Sequence, residues 1–214
     1  MRYKIKNLIN AMRCVLCVAR NKGMTYVELI IVLSIFSVMS SIVLFNYGKF
    51  QAKVDIKNLA NDIALKIVQA QKDAMSGKLQ TGQFATQSWK PSYGVYFNSS
   101  DNASFIYFVD LDQNGNYETS SLCPNDNECI DKINITKGNY INRLSIFYQN
   151  ETSQNINDIT LTFTRPSSAV TFTTQTLASD PGSEVSYYQI SISSSDNSTI
   201  SNIKVYPSGR IQVN

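Results

Sequence analysis

Asp110, Asp112, Asn114 and Gly115 stand in the order D-x-D-x-N-G, the opening of a loop in which alternate oxygen-bearing side chains converge on one hard cation such as Ca2+. The twelfth position, where an EF-hand needs a bidentate Glu, is Ser121, and no exiting helix follows, so Glu118 would have to supply a ligand by another route. The competing reading is an Asn-Gly turn between two strands. Cys123 and Cys129 bracket the acidic stretch Pro124 to Glu128, and their spacing permits a disulfide that an oxidising compartment favours. Cys14 and Cys17 form C-x-x-C, but they lie in a basic N-terminal segment without a βαβ pattern, so a thioredoxin-like role fails. The 214 residues include no His. Ser-His-Asp and Cys-His hydrolases and histidine-ligated zinc sites are thereby excluded. Carboxylate-only catalysis survives as chemistry, yet the carboxylates are scattered without a recognisable pair, and no enzyme is expected.

The composition narrows the setting. Ser (26), Thr (14) and Asn (21) make up 61 residues, while only 16% are charged, a profile suited to an extracytoplasmic β-rich protein. The net charge of +3 conceals a division. Arg2, Lys4, Lys6, Arg13, Arg20 and Lys22 give the first 23 residues +6 with no acid, leaving 13 Lys+Arg against 16 Asp+Glu, or −3, for the remainder. A basic-protein argument for nucleic-acid binding would rest on the wrong segment. Asn98, Asn102, Asn134, Asn150 and Asn197 open N-x-S/T sequons, which in a chain this rich in Asn, Ser and Thr decide nothing.

From Leu29 to Phe45 the chain carries no charge and no Pro, and with Met24 to Val27 it nearly reaches the length that crosses a bilayer. The six upstream cations place the N-terminus on the cytoplasmic side and the C-terminal portion outside. A cleaved secretory signal would need a shorter apolar core ending in an A-x-A-like site, which Phe45-Asn46-Tyr47-Gly48 does not offer. An ordinary signal anchor would account for hydropathy alone. Glu28 goes beyond it, because an acid deep in a membrane costs about 2.5 to 3.5 kcal/mol on insertion scales and marks a functional site by default.

Lys22-Gly23-Met24-Thr25-Tyr26-Val27-Glu28-Leu29-Ile30 resembles the class III signal of type IV prepilins and pseudopilins: a basic leader ending in Gly, an apolar residue, Thr, two variable residues, Glu, then an apolar helix. The resemblance implies cleavage of Gly23-Met24 by a membrane-embedded aspartyl prepilin peptidase and methylation of the new N-terminus at Met24, where family members usually have Phe. It implies that Glu28 neutralises the N-terminal amine of an adjacent subunit as helices pass from lipid into a filament, with Thr25 part of the same assembly segment. A Gly before the cut lets the backbone enter a cleft in extended form.

These residues need a helix to carry them. Phe50, Val54, Ile56, Leu59, Ala60, Ile63, Ile67, Ala70 and Ala74 recur at helical spacing, with Lys53, Lys57, Asn61, Lys66 and Lys72 on other faces. With no Pro before Pro91 and Gly77 as C-cap, the pattern predicts one helix from Met24 to about Ser76, roughly 80 Å long at about 1.5 Å per residue, loosened if anywhere at Asn46 and Gly48. Eight strands are expected beyond it: 93–97, 105–109, 144–148, 159–163, 170–174, 188–192, 203–206 and 210–213. Alternation in Ile159 to Phe163 and Ile190 to Ile192 fits antiparallel strands with one face on the helix. The expected fold is α+β and pilin-like, a long N-terminal helix on two small antiparallel sheets. Its segments are a leader (1–23), the membrane and assembly half of the helix (24–47), the amphipathic half (48–77) and an extracytoplasmic β domain (78–214).

Leu59-Ala60-Asn61-Asp62-Ile63 through Ala70-Gln71-Lys72-Asp73-Ala74 is similar to the helix signature of FimT/GspH-like minor pseudopilins. Gly94 to Phe97 with Phe108 to Tyr117 resembles that family's paired strands with an Asp/Asn/Gly turn, and Pro207-Ser208-Gly209-Arg210 its closing hairpin. The resemblance implies a structural subunit of a type II secretion pseudopilus, type IV pilus or competence filament. Its partners would be the prepilin peptidase, an inner-membrane platform protein, other pilins and, before assembly, membrane lipid. Some FimT-like proteins bind DNA during uptake through a Gly-Arg-x-Arg motif. Here Gly209-Arg210-Ile211-Gln212 lacks the second Arg, leaving Arg210 alone and a mature charge of −3 that weakens phosphate binding.

Overall fold

The computed structural model describes residues 23–78, 91–118, 123, 128–174 and 184–214. The leader with Cys14 and Cys17, and Ser121, lie outside them. The chain divides into two units, Met1–Gly48 and Lys49–Asn214. One α-helix, α1 (Tyr26–Ser76), runs through Asn46 and Gly48 without interruption.

In the first unit the apolar side chains of α1 are exposed on every side, from Leu29 at 44% to Phe45 at 83%. The helix is long and apolar enough to cross a membrane. In the second unit Ile56, Ala60, Ile63, Ile67, Ala70 and Ala74 are fully buried. Their steps alternate between four and three residues, the 3.6 period of one stripe. Phe50 belongs to the sequence pattern but is exposed, so the buried stripe starts later than its spacing implied. Three of the six buried positions are Ala. The helix ends as expected at Gly77, whose φ of +62° suits a residue without Cβ. There Gly77 N–H donates to the Ala74 carbonyl and Lys78 N–H to the Asp73 carbonyl.

Among the described residues ten strands follow: β1 (Ser92–Asn98), β2 (Ser104–Asp110), β3 (Cys129–Asn134), β4 (Tyr140–Tyr148), β5 (Ser153–Ile156), β6 (Asp158–Phe163), β7 (Val170–Thr173), β8 (Val185–Ser193), β9 (Ile200–Val205) and β10 (Ile211–Val213). They form two five-stranded sheets, β3-β2-β1-β6-β7 and β10-β9-β8-β4-β5, antiparallel throughout. The fold is therefore α+β, with the second half of the helix packed on both sheets. All eight expected strands are present, with ends shifted by a few residues; β3 and β5 are additional.

Alternate residues of β1 and β2 divide two cores. Tyr93, Val95, Phe97, Phe105, Tyr107 and Val109 face the helix. Tyr96 and Phe108 face the other way and join Tyr117 and Cys129 in a smaller cluster. Tyr117 packs its ring on Tyr96 and Phe108, at centroid distances of 5.2 and 5.3 Å. Segment 111–118 therefore folds back over the outer face of the first sheet. Asn114-Gly115 is not a two-residue hairpin turn, because β2 ends at Asp110 and the next described strand paired with it, β3, begins at Cys129.

The end of the helix is tied to the first sheet by two buried tyrosines. Tyr107 Oη donates to Asp73 Oδ2 at 2.6 Å and Tyr93 Oη donates to the Lys78 carbonyl at 2.7 Å. Burial pushes the Asp73 carboxyl up, but hydrogen bonds from Tyr107 and Lys78 outweigh it and hold its pKa below the ordinary value. A depressed carboxyl contributes stability above its unfolded pKa and loses it as pH falls through the folded one. Asp73→Asn is expected to cost about 1.5 to 3 kcal/mol at pH 7, and its difference from wild type should shrink in melts below the ordinary value of 3.8. An equal difference at both pH values would show that the charge does not matter.

Candidate functional site

Gly23 and Met24 precede the helix, and Thr25 caps it. The Thr25 carbonyl accepts the Leu29 N–H at 3.1 Å and its Oγ1 accepts the Glu28 N–H at 3.3 Å. Thr25 followed three residues later by Glu28 has the order of a capping box. The Glu28 charge also lies where the helix dipole favours an anion, by about 0.3 to 1 kcal/mol. Both residues thus help to start the helix, whatever else they do, and Glu28 is exposed. Gly23 is different. A Cβ built on it meets nothing within 4 Å among the described residues, and its φ is not left-handed. Nothing described in this fold requires glycine there.

A second constellation lies at the end of β2. One oxygen each from Asp110, Asp112 and Glu128 lie within 4.8 Å of one another. Asp110 and Glu128 are buried, at 1% and 6% exposure, and Asp112 is exposed. Asp110 Oδ2 accepts the Gly115 N–H at 3.1 Å, and Asp112 Oδ1 accepts the Asn114 N–H at 3.1 Å. Glu128 Oε1 accepts from Leu111 N–H at 3.2 Å and Oε2 from Glu118 N–H at 3.4 Å. Burial pushes the Asp110 carboxyl up to about 6, opposed by the Gly115 amide and reinforced by the Asp112 carboxylate. Burial likewise pushes Glu128 up to about 7, against the pull of the Leu111 and Glu118 amides.

Of the residues expected in a cation loop, Asp110 and Asp112 come together. Asn114 instead turns its amide Nδ2 to Asp112 Oδ2 (2.8 Å) and to Glu118 Oε1 (2.9 Å), so Glu118 is occupied at the loop surface. Glu128 is the acid that sequence reasoning missed as a ligand. Pairing of β2 with β3 sets Cys129 opposite Phe108, and the Val109 N–H donates to the Glu128 carbonyl at 2.9 Å. This register delivers Glu128 to Asp110. A signal existed in the disulfide-sized spacing of Cys123 and Cys129, which are joined here with Cα atoms 5.6 Å apart.

Arg210 is exposed and follows Gly209 in the β9–β10 hairpin. Its guanidinium lies 3.8 Å over the Tyr206 ring, while Lys204 Nζ lies 4.5 Å over Tyr187. The two tyrosine rings are 5.6 Å apart. On the flank of α1, Leu59 and Leu65 line a groove of about 330 Å³ with Phe105 and Ile133 of the first sheet. No protein-family model matches the chain, and no curated protein or solved structure matches it.

Proposed function

We propose that this chain is a minor pilin or pseudopilin, a non-enzymatic structural subunit cut between Gly23 and Met24 by a prepilin peptidase and assembled through its N-terminal helix. One observation carries the reading. A single uninterrupted helix begins at Thr25 to Glu28, exposes apolar residues all round from Leu29 to Phe45, and buries one stripe from Ile56 to Ala74. An all-apolar exposed half must be covered by lipid or by other helices, and the prepilin-like signal before it favours lipid first and a filament afterwards. The groove beside Leu59 and Leu65 supports assembly further, because it offers apolar surface to a neighbouring subunit.

The test is the intact mass of the protein recovered from membranes of cells with and without the peptidase. Loss of residues 1–23 and a methyl group on Met24, both dependent on the peptidase, is the expected result. An unchanged N-terminus in both strains would leave an ordinary signal-anchored protein. Ligand capture by the β domain is the second reading, favoured by Arg210 and Lys204 stacked on Tyr206 and Tyr187. It stands second because the mature charge of −3 opposes a polyanion such as DNA. Salt-sensitive DNA binding lost in Arg210→Ala would reverse that order.

A further inference from the structure

We propose that Asp110, Asp112 and Glu128 bind a hard divalent cation of calcium size, which fastens segment 111–118 to the start of β3. Asp110 is 1% exposed, yet its Oδ1 is buried with no hydrogen-bond partner among the described residues. Leaving a buried carboxylate oxygen bare is costly, and native structures avoid it unless something else fills the coordination. The other carboxylate oxygens with buried surroundings are held by amide N–H groups of Leu111, Gly115 and Glu118, which orient them. No ion pair found among the described residues involves any of the three acids. Three acids converge, and among the described residues no cationic side chain is paired to any of them, a setting that a positive ion would complete.

The donor set selects the ion. All three are carboxylates, and the chain has no His, so a hard oxygen-loving cation fits better than zinc or copper. Oxygens on opposite sides of Ca2+ lie about 4.6 to 5.2 Å apart, against about 4.0 to 4.2 Å for Mg2+. The three oxygens lie within 4.8 Å of one another, a spacing that one Ca2+ can bridge. Asp112 is exposed, so water can complete the shell. The mechanical consequence follows from position. Asp110 ends β2, Glu128 precedes β3 and the disulfide half Cys129, and Asp112 lies in the segment that lays Tyr117 on Tyr96 and Phe108. A bound cation would join these three places as the disulfide joins Cys123 to Cys129.

The experiment uses the full-length protein in detergent micelles, titrated calorimetrically with CaCl2 and melted in CaCl2 or EGTA. One site is expected, with a dissociation constant of about 10⁻⁴ to 10⁻³ M, as in extracellular calcium modules, and a higher melting temperature with Ca2+. Asp110→Asn should abolish the calcium response while melting in EGTA at or above the wild-type temperature, because the amide removes repulsion. Asp112→Asn, at an exposed position, should weaken binding at least about tenfold and serves if the buried variant does not fold. Absence of any calcium response in wild type overturns the site. So does an Asp110→Asn protein that melts lower in EGTA yet keeps the full response. Mg2+ bound as tightly as Ca2+ overturns the calcium assignment.

Discussion

On the proposed cleavage between Gly23 and Met24, Gly23→Val is expected to retain all of its leader, giving a chain 23 residues longer than the cleaved form, with its folding unchanged. The two halves of that expectation rest on different facts. A Cβ at position 23 meets nothing within 4 Å among the described residues, and the backbone there is not left-handed, so the substitution should alter the melting temperature of the detergent-solubilised protein negligibly. A peptidase that must draw the bond before Met24 into its cleft would instead meet a β-branched side chain beside the scissile carbonyl. Glu28→Gln separates the next step. The amide keeps the size of the side chain and leaves the Glu28 backbone N–H free to bond Thr25 Oγ1. Cleavage should proceed, while recovery of the subunit in sheared filaments or crosslinked assemblies should fall at least about tenfold, since an amine desolvated among helices loses its counter-charge. The Glu28 charge at the helix N-terminus contributes only about 0.3 to 1 kcal/mol, too little to produce such a loss through folding. Processing of Gly23→Val at the wild-type rate would remove the peptidase from the proposal. Normal assembly of Glu28→Gln would reduce Glu28 to a helix-capping residue.

The long helix was legible because its two halves obey rules that operate over one or two turns: an unbroken apolar run, then a three-four spacing closed by Gly77. The strands that could be read are those with apolar alternation, such as Asp158–Phe163, buried along its whole length. The two that could not are β3 and β5. Cys-Ile-Asp-Lys-Ile-Asn carries an acid and a base in its centre, and Ser-Gln-Asn-Ile is four residues long with one apolar side chain. Both lie at sheet edges, where charged and short strands discourage pairing with other chains and where apolar pattern is sparse. The same strand explains why the acidic cluster was half legible. Asp110 and Asp112 are neighbours in sequence, but Glu128 reaches them through the β2–β3 register, which no local spacing encodes.

Gly209→Ala is expected to be the most damaging Gly→Ala change among the described residues of the β domain, lowering stability by about 2 to 5 kcal/mol. Gly209 has φ +84°, a conformation costing an L-residue with a side chain about 1 to 2 kcal/mol. A Cβ would also collide with the Ser168 carbonyl oxygen and approach Gln71 Nε2 to 2.6 Å. The site is a junction. Gln71 of the helix donates to the Ser168 carbonyl at 2.9 Å and to the Gly209 carbonyl at 3.3 Å, and Val170 N–H donates to the Pro207 carbonyl at 3.1 Å. Helix, first sheet and closing hairpin of the second sheet therefore meet on one backbone position. Gly94→Ala provides the comparison. Its Cβ would meet the Phe108 ring at 2.5 Å and the Leu161 carbonyl at 2.7 Å, but its φ is not left-handed, so only the overpacking cost of about 1 to 3 kcal/mol applies. Melting temperatures should rank wild type above Gly94→Ala above Gly209→Ala. Adding Gln71→Ala to Gly209→Ala should restore little, because the Ser168 carbonyl is backbone and cannot be trimmed. Recovery close to wild type in that double variant would mean that the side-chain contact alone made the position intolerant. The hairpin would then be held by its own turn, without the helix and first sheet pressing on it.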